Sequence, residues 1–589
     1  MKDPHKVPKN IRFTSVLLTV FRSMLQLFPL VFIGFLLLAI SAAILLTAAP
    51  RIFQLIIDLV AVGTSFSQFW KLLIGFGLCL SIGSICKFGA TKISFYIATQ
   101  VEDRWRYAGL HHYYQLPFAW HDKHDSGGVG TRIDKGGSAI FVLLYELFGQ
   151  NLLVAILTLL FVVIYTFLIL PFFGVLLLLP IPIYIIITFF ISRTIALKQA
   201  SLNRLERTAN RALYDGVSNV RTVKAFGKED QEPEYYAKRW SKYHSFEYGV
   251  ERLWFTQEFL QTVIEVTLRT ALLTYCIYAI YSQQITLGQL ILIISYQQMT
   301  FAPLAQLNQL FTRLRRNAKR ASHLFGIIGE KDVLTDSPDA VSVKPLLQEI
   351  VLRKVSFEYT KKTAALYDIN LAIPAGTTTA LVGRSGAGKS TLAFLLLRFY
   401  DPDQGKITYD GTDLRSIQRA SLRKQVTWIP QDTSLFNRTM RENIAYGNPK
   451  AGQEAIEQAA KLAQAHEFIL KTPNGYNSVT GERGVKLSGG QRQRIAIARS
   501  LLTKPSILIM DESTSHLDSE TEKAISESIQ ELHHKTTQII IAHRLSTILH
   551  ADQIVVLDEG RVVAVGKHQE LLGNPIYKRL YELQFQRAK

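Results

Sequence analysis

The sequence predicts a helical membrane domain of six long spans followed by an α/β domain of the P-loop kind. Three observations carry this. Six long apolar runs fill the first half. From about residue 350 short apolar strands alternate with helices. There the segment GRSGAGKST, residues 383–391, follows a strand directly. With 589 residues the chain exceeds one hydrophobic core and has room for about two to four domains. Its net charge of +19 coexists with a positive mean hydropathy. That combination fits apolar spans and charged segments laid out separately along the chain. Cys79, Cys86 and Cys276 all lie in apolar segments, which reads as core or lipid-facing thiols, not a disulfide framework or metal site. Basic residues at membrane edges account for the positive excess, so nucleic acid is not an expected partner.

The runs fall at about 28–49, 72–91, 139–170, 172–192, 259–281 and 285–304. A bilayer core of about 30 Å needs about 20 helical residues, which each run supplies. The stretch from Ala139 to Ser192 is too long for one span, and Pro171, Phe172, Phe173 and Gly174 mark its turn. Residues 11–27 read as an amphipathic interfacial helix, with a plain extension of the first span as the alternative. A cleavable signal peptide is not expected, because the first run is too long and begins too late. Lys and Arg crowd the N-terminal segment and the loops 92–138 and 193–258, whereas the connections near 50–70, 170 and 282–285 are nearly free of them. Both termini and the two long loops are therefore expected in the cytosol.

Those loops read as membrane helices continuing into the cytosol. Two breaks interrupt them: LPFAWHDKHDSGG at 116–128 and YDGVSNVRTVKAFGKED at 214–230, where Gly216 and Gly227 bracket a short amphipathic piece. Short helices at these tips would suit docking onto another domain; solvated tips are the alternative.

In the second half, the strand TTTALV at 377–382 runs into the Gly-rich loop. Its glycines let backbone N–H groups face phosphate oxygens, and the following helix offers its positive N-terminus. Lys389 is expected to reach the β- and γ-phosphates, and the Ser390 hydroxyl to bind Mg²⁺. A second strand, PSILIMDE at 505–512, ends in two adjacent carboxylates. They repel each other unless a cation sits there. Asp511 suits the Mg²⁺ shell, and Glu512 can polarise the water that attacks the γ-phosphate. A third segment, VKLSGGQRQRIAIARSLL at 485–502, opens a basic helix with glycines. It reads as a further phosphate cradle, for a nucleotide held by another copy, or as an ordinary capped helix.

Taken together, the P-loop, LSGGQ at 487–491, the strand ending in DE and His543 in IIIAHRLST resemble the ATP-binding cassette transporters. Six spans before one cassette look like a half-transporter of the exporter type. The resemblance implies a transmembrane domain over 1–325, a linker over 326–349 and a cassette with a helical subdomain over 350–589. It also implies two cassettes sandwiching two ATP molecules head to tail. Gly383, Arg384, Ser385, Gly386, Ala387, Gly388, Lys389, Ser390 and Thr391 would then wrap the nucleotide phosphates, and Tyr359 in VSFEYT would stack on adenine. Gln431 in WIPQD would sense Mg²⁺ and the attacking water. Ser488, Gly489, Gly490 and Gln491 would meet the partner's ATP, with Ser488 and Gly490 on its γ-phosphate. His543 would hold the γ-phosphate and help fix the water. TGERG at 480–484 would touch the coupling helices, which the resemblance puts near 117–125 and 212–225.

One residue departs from the family. His516 stands where a small residue is usual, before Asp518 of the crossover loop; it either modulates contact between the two sites or is tolerated at a surface. The intact motifs favour a homodimer, with a heterodimer as the alternative. In the sixth run, Gln289, Tyr296 and Thr300 share a face, beside Gln297. That face either lines a translocation path or packs in the dimer. Glu146, Glu265 and Arg269 sit nearer the cytosolic ends; Glu265 and Arg269 either pair at i,i+4 or leave the acids to recruit cationic amphiphiles. The expected function is ATP-driven export or flipping of an amphipathic drug, lipid, lipid-linked glycan or peptide. An ATP-gated channel or regulatory subunit is the alternative. No peptidase precedes the first span, so leader processing is not expected, nor is an importer served by a separate binding protein. The expected location is a bacterial cytoplasmic membrane.

Overall fold

The computed structural model describes residues 13–63, 66–149, 152–178, 180–331, 336–360, 363–431, 433–511, 525, 527, 536–541 and 549–588. The chain forms two compact units, Met1–Gln115 with Asp125–Glu330, and Leu116–His124 with Lys331–Lys589.

In the first unit, α1 (Phe13–Leu27) buries Val16, Val20, Ser23 and Met24 on one face and leaves Leu18, Phe21 and Leu25 exposed on the other. Helical spacing explains both stripes. The buried stripe is pinned by the Trp105 indole, which donates to the Ser23 hydroxyl at 3.2 Å. The segment is a helix of its own that leaves Leu18, Phe21 and Leu25 exposed.

Next, α2 (Pro29–Val62) opens with proline in its first turn and closes at Gly63 in the left-handed region. It runs on through Pro50, so most of what the sequence suggested as a connection near 50–70 is helix. Proline inside a membrane helix is tolerated where neighbouring helices support it, and α11 (Leu287–Ile328) bonds to α2 on both sides of Pro50. The Tyr296 hydroxyl donates to the Thr47 carbonyl at 3.0 Å, and the Gly288 N–H donates to the Asp58 carboxylate at 3.1 Å.

The remaining helices are α3 (Phe66–Gln115), α5 (Ser126–Leu144), α6 (Leu152–Ile169), α7 (Pro171–Leu178), α8 (Pro180–Ser218), α9 (Val220–Ala225), α10 (Gln231–Tyr281) and α11 (Leu287–Ile328). At 50 residues, α3 runs about 75 Å, far beyond a bilayer core of about 30 Å, so it continues outside as expected. Among the described residues five helical stretches are long and apolar enough to cross a membrane: Pro29–Val62, Phe69–Gln115, Ser126–Ile169, Pro171–Ser218 and Gln231–Tyr281. The sixth run lies in α11, whose first turn is fixed by a capping box between Thr286 and Gln289.

The second loop break differs from the sequence expectation. Gly216 does not end the helix: α8 continues through it to Ser218, and the short helix shrinks to α9. A helical glycine costs only about 1 kcal/mol. The break comes at Asn219, whose side-chain amide donates to the Asp215 carbonyl at 2.9 Å, and Gly227 turns the chain with φ of +59°.

The closeness of α2 and α11 gives a first test. A Cβ on Gly288 would lie 2.5 Å from both the Asp58 carboxylate and the Gln54 carbonyl. Gly288→Val is expected to cost about 1–3 kcal/mol by overpacking. It should lower the melting temperature of the purified protein, whereas an unchanged melt would mean that the two helices are not held together there.

In the second unit, Leu116–His124 contributes α4 (Phe118–Lys123), and the rest is a cassette. One sheet has the order β2-β1-β4-β5, from β1 (Glu349–Thr360), β2 (Thr363–Pro374), β4 (Gln404–Tyr409) and β5 (Thr412–Asp413), all antiparallel. The other has the order β10-β9-β3-β8-β7-β6, from β3 (Thr378–Val382), β6 (Val426–Ile429), β7 (Ile507–Asp511), β8 (Thr537–Ile541), β9 (Gln553–Asp558) and β10 (Arg561–Gly566). Its strands β9 to β6 are parallel, and β10 is antiparallel to β9. Strand β7 is buried on both faces, which is why ILIM reads as an unbroken apolar run. Ile507 and Ile509 join the core between the sheets, and Leu508 and Met510 join a second core. That second core belongs to the helical part: α14 (Met440–Ala445), α15 (Gln453–Leu462), α16 (His466–Leu470) and α17 (Gly489–Leu501). Helices α12 (Lys389–Leu396) and α13 (Arg419–Gln425) add Leu392, Leu395, Leu396 and Leu422 to the core that both sheets share. The segment after Asp336 is strapped to the cassette. Asp336 pairs with Arg419 at 3.0 Å, and Asp410 accepts from the backbone N–H groups of Leu347, Gln348 and Glu349.

Candidate nucleotide-binding site

Strand β3 is buried along its length and delivers the chain at Gly383. A Cβ there would sit 2.2 Å from the Leu557 carbonyl, so only glycine fits the exit. Gly388 has φ of +99° and caps α12, where a Cβ would meet the Ala365 carbonyl at 2.8 Å. The loop therefore curls back onto the start of α12 and leaves Arg384, Ser385 and Gly386 exposed while Ala387 and Thr391 are buried. Leu392, Leu395 and Leu396 anchor α12 in the core.

Lys389 is buried, and its ammonium donates to the Gly383 carbonyl at 2.8 Å and the Arg384 carbonyl at 3.0 Å. A positive charge is thus fixed inside the loop. The Ser390 hydroxyl donates to the Asp511 carboxylate at 3.2 Å, joining the P-loop helix to the end of β7. A hydroxyl and a carboxylate oxygen this close are hard ligands of the kind Mg²⁺ takes, so the residues present fit that ion. Gln431 lies exposed just after β6.

Tyr359, at the end of β1, is more than a third exposed. Its hydroxyl is 3.1 Å from that of Thr391, and its ring stands edge-on to Tyr400. Burial raises its phenol pKa above the ordinary value. A flat aromatic face that begins next to the P-loop helix suits a stacked base.

Ser488 is the N-cap of α17. Its hydroxyl accepts from the Gln491 N–H at 3.2 Å, and its own N–H donates to the Gln491 side chain at 3.0 Å. Gly489 and Gly490 form the first turn, which keeps the backbone bare of side chains. Upstream, TGERG is a tight turn with positive φ at Gly481, Arg483 and Gly484. It is tied down by the buried Thr480, whose hydroxyl donates to the Phe436 carbonyl at 2.8 Å. Glu512, His516, Asp518 and His543 lie outside the described residues.

The docking of a short helix at this tip was expected from the sequence, but the residues that make it were not. Phe118 stacks on Phe399 at 4.8 Å and 11°, flanked by Phe394 and Tyr400. Trp428 closes the same patch edge-on to Phe394, and Asp122 accepts from the Tyr400 hydroxyl. The available signal was the apolar content of an otherwise polar tip: Leu116, Phe118 and Trp120.

In the membrane unit, Tyr296 and Thr300 are fully buried and Gln297 nearly so. The Thr300 hydroxyl donates to the Tyr296 carbonyl at 2.9 Å, whereas Gln289 is committed to the capping box. Glu146 sits in a π-helical turn, Tyr145–Gly149, and pairs with Arg313 at 3.1 Å. Glu265 and Arg269 are each half-buried, and no ion pair joins them among the described residues.

Comparison with known proteins agrees with both units. Residues 31–304 match the ABC transporter transmembrane region, and residues 366–515 match the ABC transporter family proper. The chain is 33% identical to mouse ATP-binding cassette sub-family B member 6 over 81% of its own length and 56% of that protein. It is 39% identical to the putative multidrug export ATP-binding/permease protein YgaD of Bacillus subtilis, over 63% of the chain and 64% of the relative. In both cases it spans less than two thirds of the relative. The uncharacterized ABC transporter ATP-binding protein YwjA, also of Bacillus subtilis, is 31% identical over 93% of this chain and 95% of that one. Among solved structures, a bacterial Atm1-family ABC exporter with ATP bound superposes with a TM-score of 0.83 at 30% identity, over 95% of this chain and 98% of that one. The chain belongs to the ABC transporters, as a half-transporter that carries one transmembrane region and one cassette and is homologous to the ABCB6 and Atm1-family exporters.

Proposed function

We propose that the chain hydrolyses ATP to export or flip an amphipathic substrate across a bilayer, by alternating access in a homodimer with two ATP sites. The observation that carries this is the junction of Lys389, Ser390 and Asp511 on the same polypeptide as the membrane spans. A fixed cation inside the phosphate loop and a hydroxyl–carboxylate pair at its foot are what phosphoryl transfer needs. Lys389 holds the β- and γ-phosphates, and Tyr359 takes the adenine. Ser390, Asp511 and Gln431 would hold Mg²⁺, which would neutralise phosphate charge. Glu512 polarises the water, and His543 fixes it against the γ-phosphate. Ser488 and Gly490 of each copy meet the other's nucleotide. The segments α4 and α9 are read as the coupling helices. Gln289, Tyr296, Gln297, Thr300, Glu146, Glu265 and Arg269 are retained as substrate-path candidates, and a bacterial cytoplasmic membrane with cytosolic cassettes as the setting.

Related chains are described as a putative multidrug exporter and as heavy metal tolerance proteins, which supports export without naming a cargo. The test is reconstitution into proteoliposomes with a panel of lipid, peptide and drug-like amphiphiles. ATP is expected to drive at least one of them against its gradient. If ATP only speeds equilibration, the chain is a channel and the pump reading fails.

A further inference from the structure

A continuous set of contacts links the tip between two membrane spans to the base-binding tyrosine of the same chain. Asp122 of α4 accepts from the Tyr400 hydroxyl. The Tyr400 ring, 8% exposed, meets the Tyr359 ring edge-on at 5.4 Å and 89°, and meets Phe357 at 5.2 Å. Phe357 in turn stands edge-on to Tyr359 at 5.0 Å. The Tyr359 hydroxyl lies 3.1 Å from the Thr391 hydroxyl in the first turn of the P-loop helix. Tyr359 is therefore held at its ring by Tyr400 and Phe357 and at its hydroxyl by Thr391, and it stays more than a third exposed.

The arrangement is selective in what it fixes. The Tyr400 hydroxyl donates to Asp122 and its ring packs on Tyr359, Phe357, Phe394 and Phe118, so it acts on the orientation of a ring. Edge-to-face pairs at these distances are orienting contacts worth about 0.5–1.5 kcal/mol each beyond simple burial. Asp122 anchors the far end of Tyr400 by accepting from its hydroxyl. Burial first, then this hydrogen bond and the carboxylate charge, push the Tyr400 phenol well above its ordinary pKa, so it remains a donor to Asp122 across the physiological range.

We propose that Tyr400 and Asp122 are positioning residues for recognition of the purine base: they set the Tyr359 ring, so that base occupancy and the docking of α4 on its own cassette are coupled. This rests on the reading of Tyr359 as the base-stacking side chain. Coupling of this kind is reciprocal. A nucleotide that stacks on Tyr359 favours the docked α4, and an undocked α4 loosens the base while sparing the phosphates.

The test uses the full-length protein in nanodiscs, with ATP as substrate and inorganic tripolyphosphate as a base-free competitor for the phosphate loop. Tyr400→Phe keeps the ring and removes the hydroxyl; Asp122→Asn keeps the shape and removes the charge. Each is expected to raise KM for ATP at least about fivefold, the lower end for coupling between two sites, with the tripolyphosphate inhibition constant unmoved. A general loosening of the cassette would weaken both ligands together, and that result, or no change in either, overturns the proposal. Tyr359→Ala separates the two readings. If it too leaves the ratio of ATP to tripolyphosphate affinity unchanged, base stacking on Tyr359 is wrong and the relay falls with it. If it shifts the ratio while the Tyr400 and Asp122 variants do not, only the relay is wrong.

Discussion

Lys389→Met is expected to lower ATP turnover by at least about a hundredfold, in line with removing one preorganised charge from a phosphoryl-transfer site. Methionine keeps the unbranched stem and so the burial, but it leaves no charge in the loop. In the native chain that charge is preorganised: burial limits its hydration, and two carbonyls at 2.8 and 3.0 Å aim it across the mouth of the loop. The Coulomb attraction to a triphosphate is stronger there than at an open surface. The variant also strands those two carbonyls, at a cost of about 1–3 kcal/mol for each one left dry. Its melting temperature must therefore be followed alongside steady-state hydrolysis, so that lost folding is not mistaken for lost chemistry. A folded variant that turns over within tenfold of the native protein would remove Lys389 from the catalytic account.

Glu512→Gln is expected to reduce turnover by about 10²–10⁴-fold, the range for losing a general base, while ATP and Mg²⁺ still bind. The contrast with Asp511→Asn sharpens the assignment. Asp511 accepts from Ser390 at 3.2 Å, so its loss weakens the ion site and should reduce binding of the Mg–ATP complex itself. Glu512 follows it in the chain without being needed for that contact. Single-turnover hydrolysis and equilibrium nucleotide binding, measured on both variants, separate the two roles. Native turnover in the Glu512 variant would sink the general-base reading.

The phosphate loop was legible because its geometry is local. A strand, a run of glycines and Lys-Ser-Thr at the start of a helix leave little freedom in where the ammonium can go, and Gly383 and Gly388 could be nothing larger. The pairing of Ser390 with Asp511, 121 residues away, was legible for another reason: the sequence motifs read both as ligands of one ion, and that chemistry names the partner. Contacts without such a shared ligand were not foreseeable. Tyr400 and Asp122 are 278 residues apart, and Glu146 and Arg313 are 167 apart, and nothing periodic connects them. The helix ends failed where a single residue was over-weighted. The sequence suggests a first run ending near residue 49 and a short piece opening at Gly216, yet α2 runs on through Pro50 beside α11, and α8 runs on through Gly216 at the modest cost of a helical glycine.

The assignment of Leu116–His124 to the same unit as the cassette bears on how this protein can be cut. An excised fragment beginning at Lys331 would contain every nucleotide motif but would lack Phe118, the ring that covers Phe399 and Phe394 beside Trp428. Such a fragment would carry a bare aromatic patch, the kind of surface that drives self-association. Soluble expression of the excised part is thus expected to need either a peptide spanning Leu116–His124 supplied in trans or polar replacements at Phe399 and Phe394.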